Sequence, residues 1–203
     1  MSSHQTILIA GVGGQGTLLA STVIGSAAVE SGLRVRVAET FGMSQRGGSV
    51  VTHIRLGAEI YSPIIPLGSA ELIVGFEPLE AYRNVSRYLR PGGKVILNIR
   101  PVHINGSDTS AHPYPLVSEI IRIIQEMGGE VFAFDATALA LQAGGTIMMN
   151  MVMLGATASL LSLSIDSIRN TVLNVVNKQV EANLRAFDLG LAKIEELLPA
   201  GVQ

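Results

Sequence analysis

Short continuous apolar runs alternate with longer segments of helical periodicity through the first two thirds of the chain. The continuous runs are 7–10, 72–76, 95–97 and 131–134. Runs of this length are typical of buried strands in parallel sheets. The segments 17–31 and 78–89, which follow the first two runs, carry apolar residues at helical intervals. This order predicts an α/β fold, with a Rossmann-like, mostly parallel sheet, flanking helices and a helical C-terminal part.

Two further strands are predicted at 33–38 and 49–56. The first completes a β-α-β unit with the strand and helix before it. In the second, one face carries Val50, Thr52, Ile54 and Leu56, and the other carries Val51, His53 and Arg55. This period of two predicts a strand with one partly polar face, and we expect His53 to lie on a solvated face.

The last third of the chain is predicted to be helical. The predicted helices are 136–143, 150–162, one that starts at 164, and 178–198. We expect a single domain over 1–203, with an α/β sheet core at 1–135 and the helical part at 136–203.

The stretch 144–163 contains no charged residue and approaches the ~20 residues needed to span a bilayer. Polar residues are scattered through it, and basic or aromatic flanks are missing. We therefore expect a buried or partner-facing helix and no membrane association. Because methionine adapts to irregular contact surfaces, we expect part of 149–163, or one face of 178–198, to be buried against another chain.

Composition narrows the classes of function. Hydrophobic residues make up 48% of the 203 residues and charged residues 15%, against about 25% charged residues in typical domains. This apolar excess predicts an obligate partner or a homo-oligomer. The formal net charge of −2 argues against nucleic-acid binding. The lack of cysteine excludes disulfides and cysteine-ligated iron–sulfur clusters in this chain, and without a basic, apolar leader we expect a cytoplasmic protein.

The most distinctive motif directly follows the first strand. It has the form Gly-x-Gly-x-x-Gly, and its candidate cofactor-binding residues are Gly11, Gly13, Gly14, Gln15 and Gly16. Glycines permit positive φ and close approach of the backbone to a ligand, and the free amides at the start of the next helix attract anions. We therefore expect a phosphate-binding turn. The alternative is a glycine turn that packs helix on sheet without a ligand.

Glu39 and a glycine-rich loop follow the strand at 33–38. Glu39 has the position of a ribose-binding carboxylate in dinucleotide-binding folds, although an exposed strand-end acid would look the same. The loop carries the candidate ligand-binding residues Ser44, Gln45, Arg46 and Gly47. Arginine binds phosphate or carboxylate through its planar fork, so we expect an anion between 14–16 and 44–46. The alternative is that Arg46 only packs or braces the loop.

The sequence does not indicate a metal site or a catalytic residue. His103 and His112 share a long predicted loop, 101–113, without a carboxylate or cysteine at ligand spacing. We therefore expect neither a metal ligand nor a catalytic group in this chain.

Four motifs occur in order along the chain. They begin at Gly11, Glu39, Phe76 and Asn150, and they read GVGGQG, ETFGMSQRGGSV, FEPLEA and NMVMLGA. Together they resemble the gamma domain of 2-oxoacid:ferredoxin oxidoreductases over about residues 6–195. The sequence GMSQRGG is most similar to the corresponding segment of the small (beta) subunits of indolepyruvate:ferredoxin oxidoreductases.

The resemblance implies a complex that oxidatively decarboxylates a 2-oxoacid to an acyl-coenzyme A. It implies that thiamine diphosphate, magnesium and iron–sulfur clusters lie on a large catalytic (alpha) subunit, which passes electrons to ferredoxin. This chain has neither cysteine nor the Gly-Asp-Gly signature of a thiamine diphosphate site, so it would be inactive alone, with coenzyme A as a candidate ligand. The alternative is a stand-alone dinucleotide-binding dehydrogenase, which the glycine motif and Glu39 would favour.

Overall fold

A computed structural model of the chain describes residues 4–42, 47–102 and 113–199. Within them, six strands form one sheet in the order β2-β3-β1-β4-β5-β6. The strands are β1 (Gln5–Val12), β2 (Arg34–Phe41), β3 (Ser49–Gly57), β4 (Ala70–Gly75), β5 (Leu89–Asn98) and β6 (Glu130–Phe134). The pairs β1–β4, β4–β5 and β5–β6 are parallel, whereas β3 is antiparallel to both β1 and β2. The predicted mostly parallel α/β sheet is therefore confirmed.

Strand β3 lies between β1 and β2. Because β1 and β2 both run antiparallel to β3, they point in the same direction without pairing. The β-α-β unit predicted from the first 40 residues is therefore split by a third strand. This insertion rests on a long-range pairing between β1 and β3, which the local periodicity of the sequence does not reveal.

Helices pack on both faces of the sheet. Those in the described residues are α1 (Thr17–Glu30), α2 (Pro78–Tyr88), α3 (Val117–Glu126), α4 (Ala136–Ala143), α5 (Met149–Ala158), α6 (Ile165–Val175) and α7 (Val180–Leu197). Helices α1 and α4–α7 share one hydrophobic core with one face of the sheet, and α2 and α3 share a second core with the other face. The result is a three-layer arrangement of helices, sheet and helices.

Side-chain caps fix several helix starts. The Glu77 carboxylate accepts the N–H of the third residue of α2, and the side chains of Asp135 and Ser164 do the same for α4 and α6. Pro78 occupies the first position of α2, where an N–H would have no helical partner. These starts agree with the sequence predictions, because capping is a local interaction.

All ten residues of α5 are buried. Two glycines allow α7 to cross it at very short range. A Cβ on Gly155 would lie 2.0 Å from the carbonyl oxygen of Phe187, and one on Gly190 would lie 1.9 Å from that of Val152. Helices α7 and α1 and strand β5 of the same chain pack around α5, so the burial of α5 does not require another chain. Burial of the remaining part of 149–163, or of one face of 178–198, against another chain stays a prediction.

No single helix among the described residues is long and apolar enough to cross a membrane. The consecutive helical segments Ala136–Ala143 and Thr146–Ala158 pass that test only as a pair, across a bend of 119°. Both segments contribute to the core that they share with the sheet.

His53 on β3 is buried, with 2% of its surface exposed. Its ring meets that of Tyr88 edge-on, with centroids 5.2 Å apart, and its Nδ1 accepts the N–H of Ile65 at 3.4 Å. The expectation of a solvated face is therefore wrong for His53, because α2 and the segment around Ile65 cover this part of β3. Burial lowers the pKa of His53 below its ordinary value.

Candidate functional site

The glycine turn lies at the carboxyl end of β1 and opens α1. Gly14 has φ +100°, and Gly16, the N-cap of α1, has φ +79°, so both lie in the left-handed region. Gly16 also lacks room for a side chain, since a Cβ there would lie 2.6 Å from Asn150 Nδ2. The first and the fourth of the sequence motifs therefore meet at Gly16.

Gln15 folds back across the end of the sheet. Its Oε1 accepts the N–H of Val12 at 2.8 Å, and its Nε2 donates to the carbonyl oxygen of Phe76 at 3.1 Å. Gly11 makes room for it, because a Cβ there would lie 2.7 Å from Gln15 Oε1. Gln15 thus bridges the carboxyl ends of β1 and β4, and its predicted ligand-binding amide is engaged within the chain.

This bridge occupies the position at which doubly wound sheets bind ligands. Helix α1, after β1, and helix α2, after β4, pack on opposite faces of the sheet. The crevice between two such strands is the usual binding position for a dinucleotide. Here the side chain of Gln15 bridges the two strand ends through its hydrogen bonds.

Asn98, at the end of β5, extends the same bracing and was not identified from the sequence. It is 1% exposed. Its Nδ2 donates to the carbonyl oxygen of Phe76 at 3.1 Å, and its Oδ1 accepts the N–H of Ala136 at the start of α4. The amides of Gln15 and Asn98 therefore tie three parallel strands and a helix start together. The sequence signal that could have identified Asn98 is its position as a polar residue directly after the buried apolar run 95–97.

The glycine-rich segment that precedes β3 packs on the glycine turn that follows β1. Gly13 N–H donates to the carbonyl oxygen of Gly48 at 2.9 Å, and Gly47 N–H donates to that of Gly13 at 3.4 Å. The structure thus brings together two of the predicted site residues, Gly13 and Gly47. Ser44, Gln45 and Arg46 lie outside the described residues.

Three backbone N–H groups at the glycine turn have no acceptor in the part of the chain that the structure describes. These are the N–H groups of Gly14, Gly16 and Thr17. They lie at the N-terminus of α1, where the partial positive charge of a helix is concentrated. The Gly13 N–H, in contrast, is already bonded to Gly48. An anion at this turn would therefore bind to the start of the helix.

A buried carboxylate anchors the far end of the second glycine segment. Ser49 Oγ donates to Glu80 Oε2 at 2.6 Å, and Arg83 donates to Glu80 Oε1 at 2.6 Å. The side chain of Glu80 is 7% exposed, whereas that of Arg83 is 58% exposed. Glu80, in the third sequence motif, therefore holds the start of β3 against α2.

Glu77, in the same motif, holds a second polar cluster. Besides capping α2, its carboxylate accepts the Tyr114 hydroxyl and, at 3.5 Å, the N–H of Val102. The Tyr114 oxygen in turn accepts the N–H of Leu79. Burial, followed by the hydrogen bond to Glu77 and its charge, raises the pKa of Tyr114 well above its ordinary value. This cluster joins the chain on either side of 103–112 to the start of α2.

Glu39 is not close to the glycine turn. It lies within β2 rather than at its end, level with Thr52 of β3 and Ile9 of β1, and it accepts the hydroxyl of Thr52 at 3.3 Å. Two strand spacings, about 10 Å, separate β2 from β1. The structure therefore does not bring Glu39 together with the other predicted site residues.

A cavity of about 490 Å³ lies beside the glycine turn. Its lining includes Leu19, Met148, Asn150, Val176, Lys178 and Asn183. Asn150 and Asn183 are 6% and 7% exposed. Asn183 Nδ2 donates to two backbone carbonyls, whereas Asn150 Nδ2 has no acceptor among the described residues. The cavity thus combines apolar walls with buried amides, next to the free amides of the turn.

Metal ligation is not indicated by the part of the chain that the structure describes. No group of three or more histidine, aspartate or glutamate side chains converges there. His103 and His112 lie outside it.

The fold, together with the glycine turn at the carboxyl ends of the parallel strands, defines a class of protein. It is a mostly parallel α/β domain in which two glycine-rich segments join at the carboxyl end of β1 and the C-terminal helices cover one face. A sequence model of the pyruvate ferredoxin/flavodoxin oxidoreductase family matches residues 6–193. This chain therefore belongs to that family.

Individual relatives indicate its place in the family. The chain is 42% identical to the indolepyruvate oxidoreductase subunit IorB of Pyrococcus horikoshii and 40% identical to that of Thermococcus kodakarensis, each over 95% of this chain and 96% of the relative. The crystal structure of the keto/oxoacid ferredoxin oxidoreductase gamma subunit from Geobacter sulfurreducens matches with a TM-score of 0.68 and 25% identity, over 95% of this chain and 99% of that one. The chain is thus a small, gamma-type subunit of a 2-oxoacid ferredoxin oxidoreductase complex, and the resemblance inferred from the four motifs is confirmed.

The comparisons do not support the alternative of a stand-alone dehydrogenase. The geometry agrees, because the side-chain amide of Gln15 is engaged between the ends of β1 and β4, and Glu39 lies beyond β3.

Proposed function

We propose that this chain is the non-catalytic small subunit of a complex that oxidatively decarboxylates indolepyruvate or a related aryl pyruvate to an acyl-coenzyme A. The observation that carries the proposal is the likeness to two indolepyruvate oxidoreductase subunits, at 42% and 40% identity over 95% of this chain. The aryl substrate itself would bind mainly to the partner subunit.

The proposed partner is a large catalytic (alpha) subunit that holds thiamine diphosphate, magnesium and iron–sulfur clusters and passes electrons to ferredoxin. Iron–sulfur clusters are bound by cysteine thiolates, and this chain has no cysteine. The chain would contribute to the assembly the edge of its sheet at which the parallel strands end and the glycine turn lies. It would have no oxidoreductase activity alone. A cytoplasmic location is part of this proposal, since coenzyme A and ferredoxin are used there.

We further propose an anion site for a phosphate group of coenzyme A at the glycine turn. The N–H groups of Gly14, Gly16 and Thr17 are free of partners among the described residues, and they would bind one face of a phosphate. Ser44, Gln45 and Arg46 would supply the other face. The neighbouring cavity, with buried Asn150 and Asn183, is large enough for part of the nucleotide.

The domain arrangement also remains a proposal. One hydrophobic core contains residues of β1, β4 and β5 together with residues of α4–α7. We therefore propose that 1–203 is a single folding unit and that its helical part, 136–203, does not fold without the sheet at 1–135.

Co-expression with the large subunit tests the function. The two chains are expected to purify together and to reduce ferredoxin with indolepyruvate and coenzyme A faster than with pyruvate or 2-oxoglutarate. The small subunit alone is expected to reduce neither NAD nor ferredoxin. Turnover of a 2-oxoacid by the small subunit alone, or a large subunit that is fully active without it, would contradict the proposal.

A further inference from the structure

At the β2 edge of the sheet, one face is not covered by a helix in the described residues. Helix α1 packs on one face of β2 and β3. On the opposite face, α2 and α3 share their core with β1, β4 and β5, and in the described residues β2 has no helix over it. Strand β2 is also the edge of the sheet, without another strand beside it in the part of the chain that the structure describes.

This open sheet face is basic. It consists of Arg34, Arg36, Ala38 and Thr40 on β2 and is bordered by the half-buried Val51 and Arg55 of β3. His53, between these two and opposite Ala38, is covered by α2 and the segment around Ile65. Residues directly opposite each other on neighbouring strands share a face. Arg36 is opposite Arg55, and Thr40 is opposite Val51. Arg34, Arg36 and Thr40 are exposed.

The three arginines of the open sheet face have no carboxylate partner among the described residues. Arg55 donates to the carbonyl oxygen of Ser62 at 3.0 Å and contacts Nε2 of His4 at 3.0 Å, and Arg36 donates to the carbonyl oxygen of Val35. Elsewhere in the described residues six cations pair with a carboxylate, for example Arg83 with Glu80 and Arg169 with Asp188, whereas Arg87, Lys94, Lys178 and Arg185 do not. Three of the seven described cations without a carboxylate partner therefore lie together on this face.

The pair of Arg36 and Arg55 is unfavourable for the isolated chain. Like charges directly opposite each other on adjacent strands are destabilising. A carboxylate between the two guanidinium groups would remove the repulsion and would find paired donors, since guanidinium groups bind carboxylates through a planar fork.

A cleft of about 440 Å³ adjoins the open sheet face and enlarges the surface on which a partner could bind. It lies between β3 and α2, and Val51, Arg83 and Arg87 are part of its lining. The guanidinium of Arg87 lies 5.3 Å from the ring centroid of Tyr88 and has no carboxylate partner among the described residues. A side chain from a docked partner would fit into this cleft.

We propose that the open sheet face is the docking surface for an acidic segment of the large subunit. This inference rests on the proposed function and adds to it the surface through which the subunits meet. Charge complementarity favours an acidic protein segment, because opposed surface potentials steer association and fix its register. A nucleic acid is disfavoured, since the whole chain has a net charge of −2.

The test is a charge reversal at Arg36 with a matched control. Arg36→Glu is compared with Arg122→Glu, which makes the same change at an exposed arginine on α3 that pairs with Glu126 of its own helix. Affinity for the purified large subunit is measured at low and at high salt. We expect Arg36→Glu to weaken binding about tenfold at low salt and to flatten the salt dependence, and Arg122→Glu to change the affinity less than twofold.

Folding is controlled with Arg36→Ala, which removes the repulsion with Arg55. Its melting temperature in the isolated subunit is expected to equal or exceed that of the wild type, while its binding to the large subunit is weakened. If Arg36→Glu binds like the wild type with the same salt dependence, the docking surface is wrong and the proposed function stands. If the wild type itself does not bind the large subunit, both fail. Tighter binding of the wild type to single-stranded RNA than to the large subunit would also overturn the inference.

Discussion

Gly13 and Gly48 are joined by a hydrogen bond of 2.9 Å from the N–H of Gly13 to the carbonyl oxygen of Gly48. This bond connects the two glycine-rich segments, which are separated by a helix and a strand in the sequence. The turn that looks like an independent phosphate-binding loop therefore also serves as the platform on which the second loop rests. Any anion bound at the turn would lie beside that second loop.

Gly16→Ala is expected to destabilise the subunit by about 2–4 kcal/mol. A non-glycine residue in the left-handed region costs about 1–2 kcal/mol, and the new Cβ would also meet Asn150 Nδ2 at 2.6 Å. Gly32→Ala is the matched control, because Gly32 has φ +77° with no atom within 4 Å of a Cβ. Urea unfolding of both variants separates strain from collision. Equal losses would show that Asn150 adjusts without cost.

Gly155→Ala is expected to cost ~3 kcal/mol or more, because the Cβ would collide with the backbone of Phe187 at 2.0 Å. Helices α5 and α7 would have to separate. Gly25→Ala in α1 is the control, since its Cβ would lie 4.0 Å from Val35 and Val37, and it is expected to stabilise by about 0.5–1 kcal/mol. Thermal melts of the two variants should shift in opposite directions. A neutral Gly155→Ala would contradict the close crossing of the helices.

Arg46→Ala is expected to weaken coenzyme A binding to the assembled complex by roughly ten- to a hundredfold, since a charged hydrogen bond contributes ~1.5–3 kcal/mol. The melting temperature of the subunit should not change. If Arg46 only braces its loop, the melting temperature falls and the affinity stays the same. Measuring both quantities in one variant distinguishes the two roles.

The stability of the subunit is expected to fall below pH 6.5 in a way that depends on His53. Burial lowers the pKa of His53 in the folded state below 6.5, its ordinary value. Between the two pKa values the unfolded state binds more protons, so stability decreases as the pH falls through this window and levels off below the folded pKa.

His53→Asn tests this dependence, since an asparagine carbonyl can replace Nδ1 as the acceptor for the N–H of Ile65. Free energies of unfolding at pH 7.5 and 5.5 are compared in the two proteins. The wild type should lose more stability than the variant over this interval. Identical losses would mean that other titrating groups are responsible.

Local signals in the sequence predicted much of the fold. Pro78 and Ser164 mark helix starts through interactions within one turn, and the apolar runs identify the parallel strands. The insertion of β3 between β1 and β2 could not be predicted, because it depends on pairing between distant segments. His53 was misjudged for a similar reason, since its cover comes from α2 and Ile65.

The candidate site was predicted less completely than the fold. The glycine turn is where the sequence placed it, but the sequence did not show that Gln15 would fold back onto Val12 and Phe76. That conformation depends on the pairing of β4 with β1, which places the carbonyl oxygen of Phe76 next to Gln15. Gly155 carried a signal that was not used, because a glycine inside a helical pattern commonly marks a close packing contact.

The carbonyl oxygen of Phe76 accepts one amide from Gln15 and another from Asn98. Two side chains from different parts of the chain thus connect the ends of β1, β4 and β5 through hydrogen bonds within the chain. The loss of conformational freedom needed to shape this edge occurs when the subunit folds, before it meets its partner. Assembly of the complex can then proceed between preorganised surfaces, which leaves more of the interaction free energy for affinity.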